Sequence, residues 1–268
     1  MVKKVILLLF FAFNVYGISS FELANNILDD RAKIGKLRLL FNNQNFLDNN
    51  GNLDIDLIIK TLKTNSLINF TLNDAKTLKL NFKAKTDAVL FFKIINDALN
   101  DCGYVYFIPT DLNLREKNID FTIEVDSQYI LDPANFYKAL KTNDVYIENI
   151  KKIGAYDYEY ILNFDNAKLK VNTKLPLNTI TNFEKPLKDY IILAKNASSI
   201  TMDANNLDSW YPKILFLDKN LNLIKSIQSK EKNNHLSEFI PEGSVYIIIS
   251  DMFNLDNIKR GLRVYLKK

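Results

Sequence analysis

The oxygen-bearing side chains between residues 48 and 56 are the first group in this sequence that could bind a ligand. They stand at alternate positions of the segment DNNGNLDID, namely Asp48, Asn50, Asn52, Asp54 and Asp56. Calcium takes about six to eight oxygen ligands, and such a loop could supply several of them. An EF-hand, however, needs glycine at its sixth position and glutamate at its twelfth, and neither is present. We therefore interpret the segment as an Asn/Gly turn that ends in a helix cap at Asp54, with calcium as the alternative.

Few side chains in this sequence are suited to catalysis. The chain has one Cys and one His, which cannot form an intramolecular disulfide or a four-ligand zinc site. Cys102 lies on the apolar face of a predicted helix, and His235 follows a polar segment at 230–234, so we interpret them as a buried small side chain and a surface loop residue. The sequence has no nucleophile elbow, P-loop, dinucleotide-binding glycine pattern or HExxH motif. We predict a protein that is not an enzyme, with no catalytic residue and no cofactor.

A hydrolase that uses carboxylates alone is the enzymatic alternative. Such an enzyme needs two carboxyl groups at a set separation, which a sequence does not reveal. The acidic residues considered for this role are Glu22, Asp29, Asp203, Asp208, Asp218 and Glu242. Nothing in the sequence pairs any two of them.

The aromatic pair Trp210-Tyr211 is the candidate for a binding surface. It follows the polar segment 203–208 and precedes Pro212, which is a loop-like setting. Exposed aromatic rings could stack on a sugar or anchor a protein partner, because they offer a large contact area with a polar group attached. The alternative, and the more common arrangement for such a pair, is that it begins a strand and fills the core.

The N-terminal residues 1–17 have the pattern of a cleaved secretory signal. Lys3 and Lys4 precede an apolar run from Val5 to Phe13, which is shorter than the roughly 20 residues of a membrane-spanning helix, and Gly17 is a small residue suited to the cleavage site. An uncleaved N-terminal anchor is the alternative. Abundant Asn, Lys and Ile are typical of an AT-rich bacterial genome, so we predict a periplasmic or secreted protein without a membrane span in its mature form.

The net charge of +4 is small, which argues against nucleic acid as a partner.

The periodicity of the first 171 residues predicts two small domains that combine strands and helices. A helix over 21–41 and a polar loop over 42–52 come first, within 18–53. Residues 54–110 then follow the order helix, strand, helix, strand, where the strand 78–84 alternates apolar and polar side chains, Thr86 can cap the second helix and 104–108 forms the last strand. After a turn-rich connection over 109–118, residues 118–171 follow the order strand, helix, strand, strand, and Asp132-Pro133 begins the helix. Each domain is expected to pack one sheet against one or two helices.

From residue 172 onwards the helical pattern disappears. Short apolar runs separated by turn residues occupy 190–194, 213–217, 221–227, 245–249 and 261–266. Strands at this spacing are typical of an antiparallel β-sandwich, which we predict for residues 172–268. The fold class as a whole is α+β.

Two stretches of hydrophobic pattern resemble known families. Residues 58–62, the strand 78–82 and the segment FKIINDALNDCGYVY at 92–106 together resemble the N-terminal short domain of secretins and TonB-dependent receptors. The resemblance covers about 55 residues and implies an accessory of an envelope machine, since no part of the chain resembles a secretin pore. The whole chain also resembles an uncharacterised family of secreted or periplasmic epsilonproteobacterial proteins, through FLDNNGNLDID, KIINDALND, LDPANFYKAL and NIKRGLRVYL. That second resemblance implies no activity.

Together these patterns predict a non-catalytic interaction or scaffold protein of the bacterial envelope. Its partner would be another protein, bound through sheet edges and loops, for instance in a secretion or motility machine. The alternative is a glycan-binding protein that uses the C-terminal domain with Trp210 and Tyr211.

Overall fold

The structure is a computed structural model that describes residues 17–42, 46–194 and 196–268. Residues 1–16, which carry nearly all of the predicted secretory signal, lie outside this part of the chain. Within it, no helix is both long enough and apolar enough to cross a membrane.

All five α-helices of the described residues precede residue 142. They are α1 (Ser20–Leu28), α2 (Ile34–Phe41), α3 (Ile55–Thr64), α4 (Ala88–Asp101) and α5 (Pro133–Lys141). The predicted caps of α3 and α5 are confirmed, because Asp54 accepts a hydrogen bond from the Leu57 amide and Asp132 accepts one from the Ala134 amide, each at 3.0 Å. The cap of α4 is Asp87, one residue beyond the predicted Thr86.

The single helix expected over 21–41 is two helices with a break between them. Asp29 adopts a left-handed φ of 45° at the end of α1, and a short 3-10 helix, Arg31–Lys33, leads into α2. A regular right-handed helix cannot contain a residue with left-handed dihedral angles, so the chain changes direction at Asp29. The helical spacing of the apolar residues, which predicted one helix, continues through both helices.

Five strands of the N-terminal half form one sheet. They are β1 (Thr71–Lys85), β2 (Ile108–Arg115), β3 (Asn118–Tyr129), β4 (Tyr146–Lys152) and β5 (Asp157–Asn163), in the spatial order β2-β3-β1-β5-β4. Strand β1 is antiparallel to β3 and parallel to β5. Its apolar face packs on the helices, since the Phe82 ring lies 5.5 Å from that of Phe136 in α5.

This strand order corrects the predicted division into domains 54–110 and 118–171. Strand β1 from the first segment is the central strand and pairs on both sides with strands of the second, β3 and β5. The helices likewise share one apolar core with this sheet. Neither segment could bury its apolar face alone, so we treat residues 20–171 as one N-terminal unit.

The remaining strands form two antiparallel sheets of four strands each. They are β6 (Ile180–Asn182), β7 (Tyr190–Leu193), β8 (Ser199–Ala204), β9 (Pro212–Leu217), β10 (Leu223–Gln228), β11 (His235–Phe239), β12 (Tyr246–Asp251) and β13 (Leu262–Lys267). The orders are β10-β9-β12-β7 and β11-β8-β13-β6. Buried side chains from both sheets belong to a single apolar cluster. We call residues 172–268 the two-sheet unit, and the α+β fold class is confirmed.

Strands β9 and β12 are apolar on both faces because each face has a core to cover. Phe216 and Ile247 point into the two-sheet unit, whereas Leu217 and Tyr246 belong to the core of the N-terminal unit. The Tyr246 hydroxyl also accepts a hydrogen bond from the Leu169 amide at 3.0 Å. The two units are therefore joined through a buried apolar contact.

The connection predicted over 109–118 is largely a strand. Residues 104–107 form no strand, although a strand was predicted over 104–108, and β2 runs instead from Ile108 to Arg115. The turn is confined to Glu116 and Lys117, where Glu116 takes a left-handed φ of 55°. Pro109 and the polar residues of this segment led to the interpretation as a turn.

Candidate interaction surface

The loop that carries the calcium candidates is held by protein contacts. Asp48 accepts hydrogen bonds from the amides of Asn50 and Asn52, at 2.9 and 3.1 Å, and its side chain is only 4% exposed. It also pairs with the Lys141 ammonium at 2.8 Å. Burial acts to raise the pKa of the Asp48 carboxyl, but the hydrogen bonds from Lys141 and the loop hold it below its ordinary value.

Three other side chains of this loop also have protein partners. Asp54 caps α3, and Asp56 pairs with Lys138 at 2.7 Å. The Asn50 side chain donates to the Tyr146 hydroxyl at 2.8 Å. Among the residues that the structure describes, no three His, Cys, Asp or Glu side chains come together as a metal site. The contacts of Asp48 and Asp54 are those of a turn and of a helix cap.

Trp210 is a core residue and cannot stack on a ligand. Its side chain is 0% exposed, and its indole Nε1 donates to the Ser250 carbonyl at 2.9 Å. Tyr211 is half-buried, with its ring 5.0 Å from the exposed ring of Phe253 in an edge-to-face contact. This placement corrects the predicted surface pair and agrees with the alternative that the segment begins a strand, since β9 starts at Pro212.

The single Cys and the single His of the chain both have surroundings typical of a structural role. Cys102 is half-buried at the end of α4, and burial raises the pKa of its thiol to about 12. His235 is exposed but begins β11, and its Nδ1 lies 2.7 Å from Asp203 on the neighbouring strand. Arg263 donates to the same carboxylate from the opposite side, at 3.3 Å. The three side chains form a surface row across the sheet.

Three of the carboxylates considered for hydrolysis are bound to nearby groups. Asp208 is buried and pairs with the Arg260 guanidinium at 2.6 Å. Asp218 accepts hydrogen bonds from two amides of its own turn, and Glu22 forms the capping box of α1 with Ser19. These are the contacts of loop and helix ends, and they give the hydrolase alternative no support.

A ladder of polar side chains crosses the open face of the five-stranded sheet. Glu159 on β5 accepts hydrogen bonds from Lys83 on β1 at 2.6 Å and from Lys151 on β4 at 3.0 Å. Asn81 continues the ladder by donating to Asp120 on β3 at 2.5 Å. Burial acts to raise the pKa of Glu159, but the two ammonium groups outweigh it and hold the pKa below its ordinary value. The Glu159 carboxylate and the ammonium groups of Lys83 and Lys151 therefore pair with one another.

A cavity of about 840 Å³ lies beside the beginning of β1. Its lining includes Cys102, Tyr104 and the charged pair Lys63 and Asp132. The Lys63 ammonium and the Asp132 carboxylate are 2.5 Å apart, and Lys33, which also lines the cavity, pairs with Asp30 at 3.3 Å. The Tyr104 hydroxyl donates to the backbone of Tyr129. The cavity therefore offers no unpaired charge among these groups that would select a ligand.

The two edges of the five-stranded sheet differ in how they are covered. Helix α1 lies against β4, and its Asn26 side chain donates to Asn149 of that strand at 3.1 Å. At the other edge, all eight residues of β2 are exposed. An uncovered edge strand presents a row of unpaired backbone donors and acceptors to any chain that can add a strand.

Apolar side chains accompany this uncovered edge. Leu112 and Leu114 are 47% and 48% exposed, and they stand opposite Phe121 and Ile119 on the helix-bearing face of the sheet. Tyr106 and Ile108, just before and at the start of β2, are 89% and 68% exposed. We call the side of β2 that faces away from β3, together with these side chains, the β2 edge.

Sequence reasoning missed the β2 edge, although its signal is present in the sequence. Residues 111–115 read DLNLR, in which apolar and polar side chains alternate as they do in a half-buried strand. The segment is shorter than the faultless alternation at 78–84, and Pro109 precedes it. The proline favoured a turn over a strand.

In comparisons with known proteins, no family model, no curated protein and no solved structure matches this chain. The resemblances to the secretin N-terminal domain and to the secreted epsilonproteobacterial family stay predictions. What defines the candidate site is therefore its own geometry, an uncovered strand edge with large apolar side chains.

Proposed function

We propose that this protein is a non-catalytic interaction or scaffold protein of the bacterial envelope or exterior that binds a protein partner at the β2 edge. The partner would add a strand to β2 and so extend the five-stranded sheet. In this mode of recognition, main-chain hydrogen bonds supply affinity and alternate side chains supply specificity.

The observation that carries the proposal is the difference between the two edges of one sheet. Helix α1 covers β4, whereas β2 is exposed along its whole length. Soluble proteins protect uncovered edge strands with lysines, prolines, bulges or short length. Pro109 and a register shift interrupt the first part of β2, but residues 111–115 contain no lysine, proline or bulge and carry two half-exposed leucines. An unprotected apolar edge is expected where a partner covers it.

Other features agree with binding rather than catalysis. Glu159 is paired with Lys83 and Lys151, and the thiol of Cys102 is held in its protonated form by burial. The N-terminal signal pattern at 1–17 supports export. The glycan-binding alternative has lost Trp210, the larger of the two aromatic rings it relied on, because that ring is buried.

Site-specific photo-crosslinking in the bacterium that makes the protein tests this proposal. A photoreactive phenylalanine analogue replaces Leu112 in one strain and Leu187 in a matched control strain. Leu187 is an equally large apolar residue, 93% exposed, and lies in the two-sheet unit away from β2. We expect a light-dependent adduct from position 112 that is absent from position 187.

The mass of the adduct on a denaturing gel, followed by peptide mapping, reports what was captured. If position 112 gives no adduct, or both positions give the same adducts, the β2 edge is not a binding surface and the proposal is wrong.

A further inference from the structure

The sequence of the regular part of β2 is complementary to itself when it is read in the opposite direction. Residues 111–115 are Asp, Leu, Asn, Leu and Arg. If two copies of this strand pair antiparallel with Asn113 opposite Asn113, Asp111 of each copy faces Arg115 of the other. Leu112 of each copy then faces Leu114 of the other. These two pairs each occur twice because a two-fold axis relates the copies, and the Asn113 pair lies on that axis.

The faces of the strand agree with this register. Leu112 and Leu114 stand opposite Phe121 and Ile119 of β3, on the face that packs on the helices. In the paired arrangement they would continue that apolar layer from one copy into the next. Asp111 and Arg115 lie on the opposite, open face, where the cross-strand ion pairs would remain accessible to water.

The ends of β2 confine pairing to these five residues. On one side the pairing with β3 shifts between Pro109 and Asp111, and proline has no amide hydrogen to donate. On the other side the strand ends at the left-handed turn residue Glu116. The part of the edge that remains regular and uncovered is therefore the same part that is self-complementary.

Both charged residues of this segment are available for a new contact. Asp111 and Arg115 are exposed, and neither takes part in any of the ion pairs found among the described residues. Cross-strand pairs of opposite charge stabilise a sheet, and like charges directly opposite each other destabilise it. The register centred on Asn113 satisfies both charges of both copies at once.

We propose that the partner at the β2 edge is a second copy of this chain, and that two copies form an antiparallel β2–β2 dimer centred on Asn113. The dimer joins two five-stranded sheets into one continuous sheet. This inference rests on the proposed function, because it names the occupant of the same edge.

Sedimentation velocity on the exported protein, over a concentration series into the high micromolar range, tests the dimer. We expect the average mass to rise from one chain to two as the concentration increases. The Asp111→Arg variant places Arg opposite Arg at two symmetric positions, and the Arg115→Asp variant places Asp opposite Asp. Each should raise the dimer dissociation constant by about tenfold or more.

The double variant Asp111→Arg/Arg115→Asp supplies the decisive comparison. It exchanges the two charges, so each cross-strand pair is again of opposite sign, and the dissociation constant should return to within about threefold of the original. The matched control is Glu231→Arg, which changes the net charge as Asp111→Arg does at an exposed site in the two-sheet unit. It should leave the dimer unchanged.

A mass of one chain at every concentration overturns the dimer, and so does a double variant that stays as weak as the single ones. These results are separable from the failure of the proposed function. A monomeric protein that still crosslinks from position 112 to a different protein retains the β2 edge as a binding surface and loses only the self-pairing. A monomer that gives no adduct at all ends both proposals.

Discussion

The substitution Gly261→Ala tests how closely the backbones pack in the two-sheet unit. Gly261 is buried just before β13 and has a left-handed φ of 75°. A Cβ atom at this position would lie 1.8 Å from the Phe183 carbonyl oxygen and 2.9 Å from the Glu184 carbonyl carbon. Neither atom belongs to a flexible side chain, so the chain itself would have to move.

Two effects set the size of the loss. A left-handed backbone costs an L-residue roughly 1–2 kcal/mol. Forcing a buried contact apart typically costs about 1–3 kcal/mol more. The cost of the overlap should lie at the upper end of that range, because Phe183 is held in place. Its amide donates to Leu262 at 2.7 Å, and its ring packs 4.9 Å from Tyr190. We expect a loss of about 3–5 kcal/mol in the free energy of unfolding of the two-sheet unit.

Urea unfolding followed by tryptophan fluorescence measures this loss. The chain has one Trp, and Trp210 is buried in the core of the same unit, so its emission reports on that unit. Gly243→Ala is the matched control. Gly243 also has a left-handed φ, of 81°, but the nearest atom to an added methyl group would be the Ile224 side chain at an ordinary 3.8 Å. It should lose only the conformational part, about 1–2 kcal/mol.

The two alanine variants are compared directly. If Gly261→Ala is no less stable than Gly243→Ala, the close approach of residues 183 and 261 is wrong. The register of β6 against β13 would then be wrong as well.

Two further predictions concern titratable groups. The Cys102 thiol should react slowly with a disulfide reagent at pH 8 in the folded protein and fast in urea, because burial raises its pKa to about 12; equal rates in both states would contradict this burial. Glu159→Gln should lower the free energy of unfolding at neutral pH. When the pH falls, the variant should lose less of this free energy than the original protein does. Burial acts to raise the pKa of Glu159, but Lys83 and Lys151 hold it below its ordinary value, so its contribution is full above the unfolded-state pKa of about 4.3 and is lost as pH falls through the folded one. Urea titrations at several pH values measure the effect, and an unchanged acid dependence in the variant would refute it.

Local signals in the sequence were sufficient where neighbouring residues decide the structure. Asp54 and Asp132 cap their helices as predicted, because the bonds that they accept come from amides only a few residues away. The alternation at 78–84 predicted part of β1, where Leu78, Leu80 and Phe82 are fully buried. The apolar runs of the C-terminal region likewise correspond to β7, β9, β10, β12 and β13.

Sequence signals were weaker where strands pair over long distances. Strand β1 pairs with β5 through Leu80 and Tyr158, which are far apart in the chain. Nothing local to either strand specifies that partner, so the two segments were interpreted as separate domains. Three strands of the two-sheet unit, β6, β8 and β11, were not predicted, because each has only a few apolar residues between polar ones. An example is β11, from His235 to Phe239.

The candidate surface depended on tertiary structure for a different reason. The alternation of residues 111–115 is visible in the sequence, but its exposure is not, because exposure depends on which other elements cover a strand. Helix α1 covers β4 and leaves β2 free. Trp210 shows the converse, since a polar sequence context surrounds a side chain that the two-sheet unit buries completely.

The sequence by itself determined the α+β class, the helix caps at Asp54 and Asp132 and the scarcity of reactive side chains, since each follows from composition or from contacts within a few residues. Only the tertiary structure decided that one sheet joins the two N-terminal segments and that its β2 edge is uncovered. Pairing and covering of strands are long-range events whose free energy depends on every element that competes for the same edge.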